Sequence, residues 1–532
     1  MKKLDKKMLF AAWACHNKNY FSYQTWHEPL KSIFKEFVTF DPQEYLYMHG
    51  RKAMNEKFLE VVREEKPDFI YLWLIYDEFD IETLKRVKEV SPKTRLVNFF
   101  GDDDVLFDNY SRYYALFIDY PLASHKMYFE KYKEEGIKNV FFSCGVNTRD
   151  LKPLDVGKEY DVTFIGTPMG DRAEFIKHLF EKGVKLRVYG AGWEKYPELK
   201  EIYGGKLPQS EMTKVINQSK INLSFTKNYA GKPGFKARVF EICACRAFVL
   251  SEYFEGYLEF LKDKKEINMF QTKEELLDKV KYFLKNEKER EAISDRAYNK
   301  VVEDYAQEKE FRKTFEKIVK INGKVPAKKL PRLDKEVVYI SVRDLLRGKE
   351  EIKKMIENAD YVAFEEDGTR ISKYRDYFQV YSFEKTGKDI SCCDYFVYSR
   401  WLGNYLSLYT YFAFKTLKKE DFFRLLRMSQ LVVRKGYFLD NFEKFRYGKI
   451  YELMKENNTA FIAIPLVQVR GVNAIDFEEM KKVFLPEFED DLRALRFHGK
   501  LWTSAYPYKL VLSSYLWNVA LKPWVRKAMG KR

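Results

Sequence analysis

Short runs of apolar residues alternate with charged segments of helical length through the first 320 residues. In the first 150 residues the apolar runs stand at 8–15, 37–40, 69–75, 96–100, 115–118 and 140–142, with charged segments such as 50–66 and 80–90 between them. Continuous apolar strands joined by helical crossovers are typical of a parallel sheet covered on both faces. The pattern predicts a doubly wound, Rossmann-like α/β domain over residues 1–150.

The same alternation restarts after a break that contains Pro153 and Gly157. Strands are predicted at 161–166, 185–190, 221–225 and 247–251, and helices at 171–182, 210–218, 236–245 and 273–285, followed by a helical run over 287–321. This predicts a second doubly wound domain at 158–321. Two such domains that face each other form a cleft at the carboxyl ends of both sheets, where ligands of open parallel sheets bind.

The last 200 residues follow a different pattern. Residues 322–336 contain two prolines, a glycine and many cations, which indicates a linker. Beyond it, strands are predicted at 337–341 and 361–364 around one helix, followed by mostly helical or irregular, aromatic-rich sequence. We therefore expect an α+β accessory domain over 337–532.

Composition places the chain among soluble globular proteins, since 46% of its residues are apolar and 33% are charged. No stretch reaches the roughly 18 consecutive apolar residues that a membrane-spanning helix needs. The six cysteines form no CxxC pair, and no histidine stands at zinc-ligand spacing. This argues against a disulfide framework or a zinc site, and favours a reducing, cytoplasmic location.

The net charge of +16 is concentrated near the C-terminus. After Asp491 the chain has nine Lys or Arg and no acid, and subtracting these nine leaves +7 for the first 491 residues. Within 501–532 the cations alternate with Trp, Tyr and Leu, a mixture typical of a segment that lies on an anionic membrane surface. The tail thus predicts peripheral binding at the inner face of the membrane, and a helix packed on the preceding domain is the alternative.

Two loops of the second domain are candidates for phosphate binding. The first is GTPMGDR, in which Gly166 follows a strand and Arg172 opens a helix; a plain turn explains it equally well. The second is NYAGKPGFKARVFEICAC, where Lys232, Lys236 and Arg238 cluster beside a helix N-terminus. The helix dipole disfavours cations at that end unless an anion is bound, and a diphosphate would accept bonds from backbone N–H groups and cations together.

Glu241 lies one turn after Arg238 on the same helical face. Its carboxylate is placed to accept hydrogen bonds from ribose hydroxyls. A basic, solvated loop with a surface glutamate is the alternative interpretation of this motif.

The segment 160–315 resembles the nucleotide-sugar-binding half of GT-B glycosyltransferases. The resemblance rests on DVTFIGTPMGDRAEFI, the YGAGW turn, GKLPQSEMTKVINQSKINLSF, RVFEICACRAFVLSEY and the acidic helix after FQTKEEL. The chain is most similar to the group of spore maturation protein CgeB-like proteins. PDFIYLWLIYDEFDIETLKRVKE, FFGDDD and FFSCGVNTRDLKPL resemble the N-terminal half of that group, so the resemblance spans residues 1–320.

This resemblance implies a glycosyltransferase that moves a sugar from a nucleoside diphosphate to an acceptor (glycan, lipid or protein), with retention of configuration. Lys and Arg neutralise the departing diphosphate in such a site, so no metal or other cofactor is expected. Pro233 stands where the first Glu of the family's E-x7-E element falls, and Arg246 replaces the glycine of its ACG. The resemblance implies that Arg238 lies near the donor diphosphate and that Glu241, the second Glu of E-x7-E, holds the ribose. Together with the two candidate loops and the YGAGW turn, the predicted donor-binding residues are Gly166, Arg172, Gly190, Lys232, Lys236, Arg238 and Glu241.

The acceptor hydroxyl needs a base, or close orientation, from the first domain. The candidates are His16, just after the first strand, and Asp102, Asp103 and Asp104 in the loop after Phe100. A turn cap for His16 and a solvated acidic turn for GDDD are the alternatives.

Other classes of protein fit less well. ADYVAFEEDG, SCCDYFVYSRWLG and FIAIPLVQVRG resemble pieces of GT-A glycosyltransferases, so residues 337–532 are interpreted as a truncated GT-A-like domain. Its Glu365, Glu366 and Asp367 fit a solvated turn better than a metal site. Neither the dinucleotide-binding G-x-G-x-x-G nor a P-loop occurs. The alternative for the whole chain is a non-catalytic nucleotide- or nucleic-acid-binding protein with a basic tail, although nucleic acid is not the expected partner.

Overall fold

The computed structural model describes residues 2–18, 22–74, 78–228, 231, 233–321, 334–366, 369–398, 405–407, 428–446, 450–455 and 459–470. Lys232, Asp367 and the predicted membrane-binding tail at 501–532 lie outside these residues. Three β-sheets make up the described part of the chain. None of its described helices is long and apolar enough to cross a membrane.

Six parallel strands form the first sheet, in the order β2-β1-β3-β4-β5-β6. The strands are β1 (Leu4–Ala11), β2 (Phe34–Phe40), β3 (Phe69–Leu72), β4 (Arg95–Phe100), β5 (Tyr120–Ala123) and β6 (Phe141–Phe142). The helices are α1 (Glu28–Ile33), α2 (Pro42–Glu65), α3 (Ile81–Val90), α4 (Asp103–Leu106), α5 (Arg112–Tyr114) and α6 (Tyr128–Glu134), with π-helical turns at Tyr23–His27 and Phe107–Ser111.

The strand predicted at 115–118 is wrong. Ala115–Phe117 forms a 3₁₀ turn after α5, and the next strand begins at Tyr120. Ala115, Leu116 and Ile118 are buried all the same. A short apolar run can be buried as a helical turn or as a strand, so its hydrophobicity alone does not separate the two.

The second sheet is also entirely parallel, in the order β11-β10-β9-β7-β8. Its strands are β7 (Tyr160–Ile165), β8 (Leu186–Tyr189), β9 (Ser219–Ser224), β10 (Val249–Glu252) and β11 (Asn268–Phe270). Its helices are α7 (Arg172–Glu181), α8 (Gln209–Gln218), α9 (Arg238–Ala244), α10 (Lys273–Lys285), α11 (Glu287–Asp304) and α12 (Gln307–Lys320). The helical run predicted over 287–321 is thus two helices, and β11 was not predicted.

Helix α12 crosses back to the first sheet. Phe315 packs edge-on against Phe34 (4.9 Å between ring centroids) and Phe69 (5.3 Å), and Phe311 packs against Tyr71 (5.6 Å). All these side chains belong to one buried cluster on the first sheet. The last helix of the second Rossmann-like region therefore completes the covering of the first.

The third sheet is mixed, in the order β12-β13-β17-β15-β18-β14, with β16 beside β15. Its strands are β12 (Val337–Ser341), β13 (Tyr361–Glu365), β14 (Thr369–Ile371), β15 (Ile390–Tyr398), β16 (Tyr405–Ser407), β17 (Leu431–Arg434) and β18 (Thr459–Arg470). The helices are α13 (Lys349–Met355), α14 (Arg375–Thr386) and three short ones at Lys435–Asp440, Phe442–Arg446 and Ile450–Lys455. The strands after residue 364 were not predicted from the sequence, and among them β15, β17 and β18 supply the centre of this sheet.

Helix α14 joins the third sheet to the first Rossmann-like region. Phe378 packs edge-on against Tyr113 (5.3 Å between ring centroids), and the Tyr374 hydroxyl donates to Glu82 at 2.8 Å. Buried side chains of both regions form one continuous cluster. The fold class predicted from the sequence, two doubly wound α/β regions followed by an α+β region, is confirmed.

Candidate active site

The loops with candidate chemistry lie at the carboxyl ends of the parallel strands. In the second sheet the order of winding reverses between β7 and β9, and ligands of open parallel sheets bind beside such a reversal. The loops that follow these two strands are residues 166–171 and 225–237. Residues 101–104, here called loop 101–104, follow β4 of the first sheet and include the first two residues of α4. Hydrogen bonds connect this loop to loop 225–237.

A contact between two loops of the second sheet requires glycine at position 190. Gly190 has φ of 132°, and a Cβ atom there would collide with the carbonyl oxygen of Gly166. Trp193 Nε1 donates to the same carbonyl oxygen at 2.7 Å. A Cβ atom on Gly166 would instead collide with the ring of Phe164. The predicted role of both glycines in donor binding stays a prediction.

The Arg172 guanidinium holds the two candidate loops together. It donates to the carbonyl oxygens of Thr167 (3.2 Å) and Lys227 (3.0 Å), and only 6% of the residue is exposed. Lys227 in turn pairs with Asp171 (2.6 Å) and Glu252 (2.8 Å). Arg172 therefore connects the backbones of the two loops, and its contact with a donor stays a prediction.

Three successive backbone amides of loop 225–237 are bonded inside the protein. Gly234 N donates to a carbonyl oxygen of the same loop (3.0 Å), Phe235 N donates to Nε2 of His125 (2.7 Å), and Lys236 N donates to the hydroxyl of Tyr257 (3.1 Å). The expectation that a diphosphate accepts bonds from this backbone does not hold for these amides. Any phosphate contact by this part of the loop would come from side chains.

The two described cations of this motif are paired with carboxylates. Lys236 Nζ lies 3.2 Å from Asp104 of the first region, and Arg238 lies 2.6 Å from Glu241 on the same helix. The Asp104 carboxylate also accepts from Asn228 Nδ2 at 3.3 Å. The Lys236 and Arg238 side chains remain 28% and 27% exposed, so both keep access to solvent.

Loop 101–104 is more buried than a solvated turn would be. Asp103 is 2% exposed and accepts a hydrogen bond from the Tyr132 hydroxyl (2.9 Å), and burial raises the pKa of its carboxyl to about 7. Asp102 keeps solvent access, yet desolvation by the surrounding protein and the charge of Asp104 raise its pKa above the usual value. The alternative of a solvated acidic turn is therefore wrong for Asp103.

His16 lies apart from the other predicted residues. Its exposed ring hydrogen-bonds to Thr39 on β2 at 3.3 Å. It follows β1, and β1 is separated from β4 by β3. The structure therefore brings Asp104 together with Lys236, and Arg238 with Glu241, but it does not bring His16 to either pair.

A cavity of about 380 Å³ opens between the first and second regions beside Glu241. Polar side chains from four places converge on it: a turn of the first region, the crossing segment after β6, and helices α8 and α9. The polar lining residues include Gln24, Thr25, Asn147, Arg149, Asp150, Ser210, Thr213, Lys214 and Glu241. A cavity of this size with hydroxyl, amide and carboxylate groups is suited to a nucleoside-sized ligand.

The carboxylates after β13 are held within the third region. Glu366 accepts from the backbone N and the hydroxyl of Ser429, at 3.1 and 2.6 Å. Glu365 is exposed, and Asp367 lies outside the described residues. Across the described part of the chain, no group of three or more His, Cys, Asp or Glu is arranged to hold a metal ion.

Sequence reasoning missed His125, Tyr257 and Glu252, which fix the backbone of loop 225–237. His125 is the second residue after β5, and Glu252 ends β10. A polar residue at the carboxyl end of a buried parallel strand was the available signal. The partner of such a residue lies in another loop and cannot be read from local sequence.

Comparisons with known proteins support the second region as a glycosyltransferase module. Residues 172–315 match the family model described as "Glycosyl transferase-like". No functionally curated protein matches the sequence of this chain.

Similar solved structures include a glycosyltransferase from Rickettsia africae, at 11% identity and a TM-score of 0.44, covering 60% of this chain and 100% of that one. Anabaena HepE in complex with UDP-glucose has 11% identity and a TM-score of 0.44, with 59% and 100% covered. Sucrose-phosphate synthase from Thermosynechococcus elongatus has 10% identity and a TM-score of 0.42, with 60% and 100% covered. The predicted glycosyltransferase function is confirmed by the family match, which gives residues 172–315 a glycosyl transferase-like sequence.

Proposed function

We propose that this protein transfers a sugar from a nucleoside diphosphate to an acceptor hydroxyl in the cleft between its first and second regions. The observation that carries the proposal is the meeting of opposite charges across that cleft. Lys236, within the segment matched to glycosyl transferases, lies 3.2 Å from Asp104 in the acidic loop of the first sheet. One side of the cleft thus offers cations to a leaving diphosphate, and the other offers carboxylates to an acceptor.

The nucleoside of the donor fits the cavity beside Glu241. In this position the Glu241 carboxylate accepts hydrogen bonds from ribose hydroxyls, and Ser210, Thr213 and Asn147 are available to the base. HepE, one of the similar structures, binds UDP and UDP-glucose. We therefore take a uridine diphosphate sugar as the first donor to test.

On binding, the diphosphate would replace the carboxylates that pair with Lys236 and Arg238 in this structure. Asp104 occupies the anion position next to Lys236, and Glu241 occupies it next to Arg238. As the bond between sugar C1 and the β-phosphate oxygen breaks, its electron pair goes to the diphosphate. Fixed cations aimed at this oxygen stabilise the developing charge. Two basic side chains supply this charge directly, so we propose that the reaction needs no metal cofactor.

The acceptor loses its proton while its oxygen bonds to C1. Asp104 is the favoured base, because donor binding at Lys236 frees its carboxylate, and Asp102 is the second candidate. A carboxyl of raised pKa such as that of Asp102 is a stronger proton acceptor near neutral pH. His16 is the weakest of the three candidates, since it follows β1, which β3 separates from β4.

The more specific parts of this proposal rest on the sequence. Membership of the CgeB-like group, retention of configuration, and a glycan or lipid-linked acceptor of the cell envelope are part of this proposal. Peripheral binding to an anionic membrane rests on the basic, aromatic segment 501–532 alone. Vesicle sedimentation of the full chain and of a chain ending at residue 500 would test that part separately.

A panel of nucleoside diphosphates and their sugars tests the proposal. We expect one donor class to raise the melting temperature, because a ligand that binds only the folded state stabilises it by mass action. The same donor should then release its nucleoside diphosphate slowly, with water as the acceptor. Removing Arg238 by R238A should slow this release at least 30-fold, whereas R246A removes a cation from the other end of α9 and should not. Binding of nucleotide without cleavage of any sugar would instead favour a non-catalytic nucleotide-binding protein.

A further inference from the structure

His125 lies at the junction between the two halves of the candidate site. It is the second residue after β5 of the first sheet and is 5% exposed. Its ring packs edge-on against Phe235 of the second region, with 5.9 Å between ring centroids. Both ring nitrogens of His125 form hydrogen bonds within the protein. Its position is therefore explained without a bound donor or acceptor.

The hydrogen bonds of His125 form a chain from one loop to the other. Nε2 accepts from Phe235 N at 2.7 Å, and Nδ1 lies 2.7 Å from the hydroxyl oxygen of Ser124. The Ser124 hydroxyl in turn donates to the carbonyl oxygen of Gly101 at 2.8 Å. Gly101 is the residue before Asp102, and Phe235 is the residue before Lys236.

These contacts fix the proton positions along the chain. A backbone N–H can only donate, so Nε2 must be the unprotonated nitrogen, and Nδ1 must carry the proton. Nδ1 therefore donates to Ser124, whose own hydrogen is used by Gly101. Only neutral imidazole satisfies all three bonds. Burial independently lowers the pKa of His125 to about 4, which keeps the ring neutral at physiological pH.

We propose that His125 is a positioning residue, which fixes the backbone of the carboxylate loop and of the cation loop relative to each other across the cleft. The inference rests on the proposed function, because it assigns the two loops to acceptor and donor. The distance between Asp104 and Lys236, 3.2 Å in this structure, depends on the two backbones that the chain connects. A displacement of about 1 Å between reacting groups costs about 100-fold in rate.

Two substitutions break this series of hydrogen bonds at different positions. H125Q keeps an acceptor at the distance of Nε2, so it can still accept from Phe235 N, but it loses the donor to Ser124. H125N keeps a donor at the distance of Nδ1 and cannot reach Phe235 N. H178Q is the matched control. His178 lies in the last turn of α7, at the end of that helix away from the carboxyl ends of the strands.

The first measurement is amide hydrogen exchange, which needs no activity. We expect faster exchange in segment 233–237 for H125N, and exchange like that of the wild type for H125Q and H178Q. Equal protection in H125N and the wild type would overturn the proposal even if the protein proves to be an active transferase. Conversely, a wild-type protein that cleaves no nucleotide sugar would refute the proposed function without changing this readout.

The second measurement separates positioning from general loss of structure. With UDP-glucose as donor, or the sugar that the panel selects, H125N should lower kcat 30- to 100-fold and H125Q three- to tenfold. The dissociation constant of the nucleoside diphosphate should change less than threefold in both, because neither His125 nor Phe235 lines the cavity beside Glu241. Equal losses in kcat, nucleotide affinity and melting temperature would show that His125 is merely structural. Full kcat in H125N would also contradict the proposal.

Discussion

The two parallel sheets have the same winding but present opposite charges to the cleft. Numbered within each region, both have the strand order 2-1-3-4-5, with one further strand in the first. After β4 of the first sheet the chain carries three aspartates, and after β9 of the second it carries Lys236 and Arg238. The same scaffold thus holds two different sets of chemical groups, and only their meeting at 3.2 Å forms a site.

Burial shifts the pKa of two residues near the carboxylate loop of the first sheet. It raises the pKa of Asp103 to about 7 and lowers that of His125 to about 4. Lys236 and Arg238, which are proposed to face the leaving group, remain partly exposed. We infer that the second sheet supplies the cations for the leaving group, whereas proton transfer belongs to the first.

The sharpest test of this division is removal of the proposed base. D104N should lower kcat by about 10²- to 10⁴-fold, the usual contribution of a general base. The same change should tighten binding of UDP, because it removes the anion that competes for Lys236. D102N should have the smaller effect on kcat. D108N is the control, because Asp108 lies in the next turn and pairs with Arg112 outside the cleft.

A different result would reassign the roles. If D104N binds UDP more tightly and keeps full turnover, Asp104 only holds Lys236 and Asp102 becomes the favoured base. Loss of UDP binding in D104N would contradict the exchange of carboxylate for diphosphate.

Removal of a leaving-group cation should have the next largest effect. R238A should lower turnover about 30- to 1000-fold, corresponding to about 2–4 kcal/mol of lost transition-state stabilisation. R246A removes a cation from the other end of α9, where Arg246 pairs with Asp295 at the surface. Steady-state kinetics of both variants with the same donor measure the difference. Equal turnover in R238A and R246A would show that the charge near α9 is unspecific.

The pH dependence of stability tests the two shifted pKa values of the first region, those of Asp103 and His125. Between pH 3.8 and 7 the folded state binds the extra proton at Asp103, so the contribution of this residue falls as pH rises. Between pH 4 and 6.5 the unfolded state binds the extra proton at His125, so its contribution is lost as pH falls. Each contribution is about 3–4 kcal/mol at 1.36 kcal/mol per unit of pKa.

The two contributions oppose each other over most of the same pH range. D103N removes the contribution of Asp103, so its free energy of unfolding should rise relative to that of the wild type between pH 4 and 7. H125Q removes the contribution of His125, so its free energy of unfolding should fall relative to that of the wild type between pH 4 and 6.5. Urea denaturation at several pH values measures both slopes relative to the wild type. Parallel pH profiles for the two variants would contradict the assignment.

Local sequence was sufficient for the scaffold and for one half of the site. Alternating apolar runs identified the strands of both parallel sheets apart from β11 and the fifth strand of the first sheet. Arg238 and Glu241 were placed together because they are three residues apart on one helix. Lys236 and Asp104 are 132 residues apart, and His125 and Phe235 are 110 apart. Their contacts depend on how two complete sheets pack, which no local pattern records.

The same limit explains why backbone phosphate binding was predicted at loop 225–237. Glycines and cations before a helix are typical of an anion-binding loop. The acceptors that occupy its amides, His125 and Tyr257, come from elements that the motif does not include. Strands of the third sheet were missed for another reason. Its central strands lack a clear alternation of apolar and polar residues, and they form by pairing with distant segments.

Nucleotide affinity should change more modestly. E241A should weaken binding of the nucleoside diphosphate about tenfold, near 1.4 kcal/mol, because ribose contacts differ little between ground and transition states. Turnover at saturating donor should change little. Calorimetry and kinetics on the same preparation separate the two. A large fall in kcat with unchanged affinity would move Glu241 to the leaving group, next to Arg238.

The smallest expected effect concerns the C-terminal end of α9, which contrasts with the charged end at the cleft. Arg246 has φ of 55°, a left-handed conformation that suits glycine. Arg246 N bonds to Cys243 O (2.9 Å) and Ala247 N to Ile242 O (3.3 Å), the two bonds of a Schellman motif. R246G should therefore be more stable than R246A by about 1 kcal/mol, since both lose the surface pair with Asp295 and only glycine relieves the backbone strain. Urea denaturation measures the difference, and UDP affinity should be the same in both variants. Equal stabilities would remove the strain argument, whereas altered UDP affinity would show that the two ends of α9 are not independent.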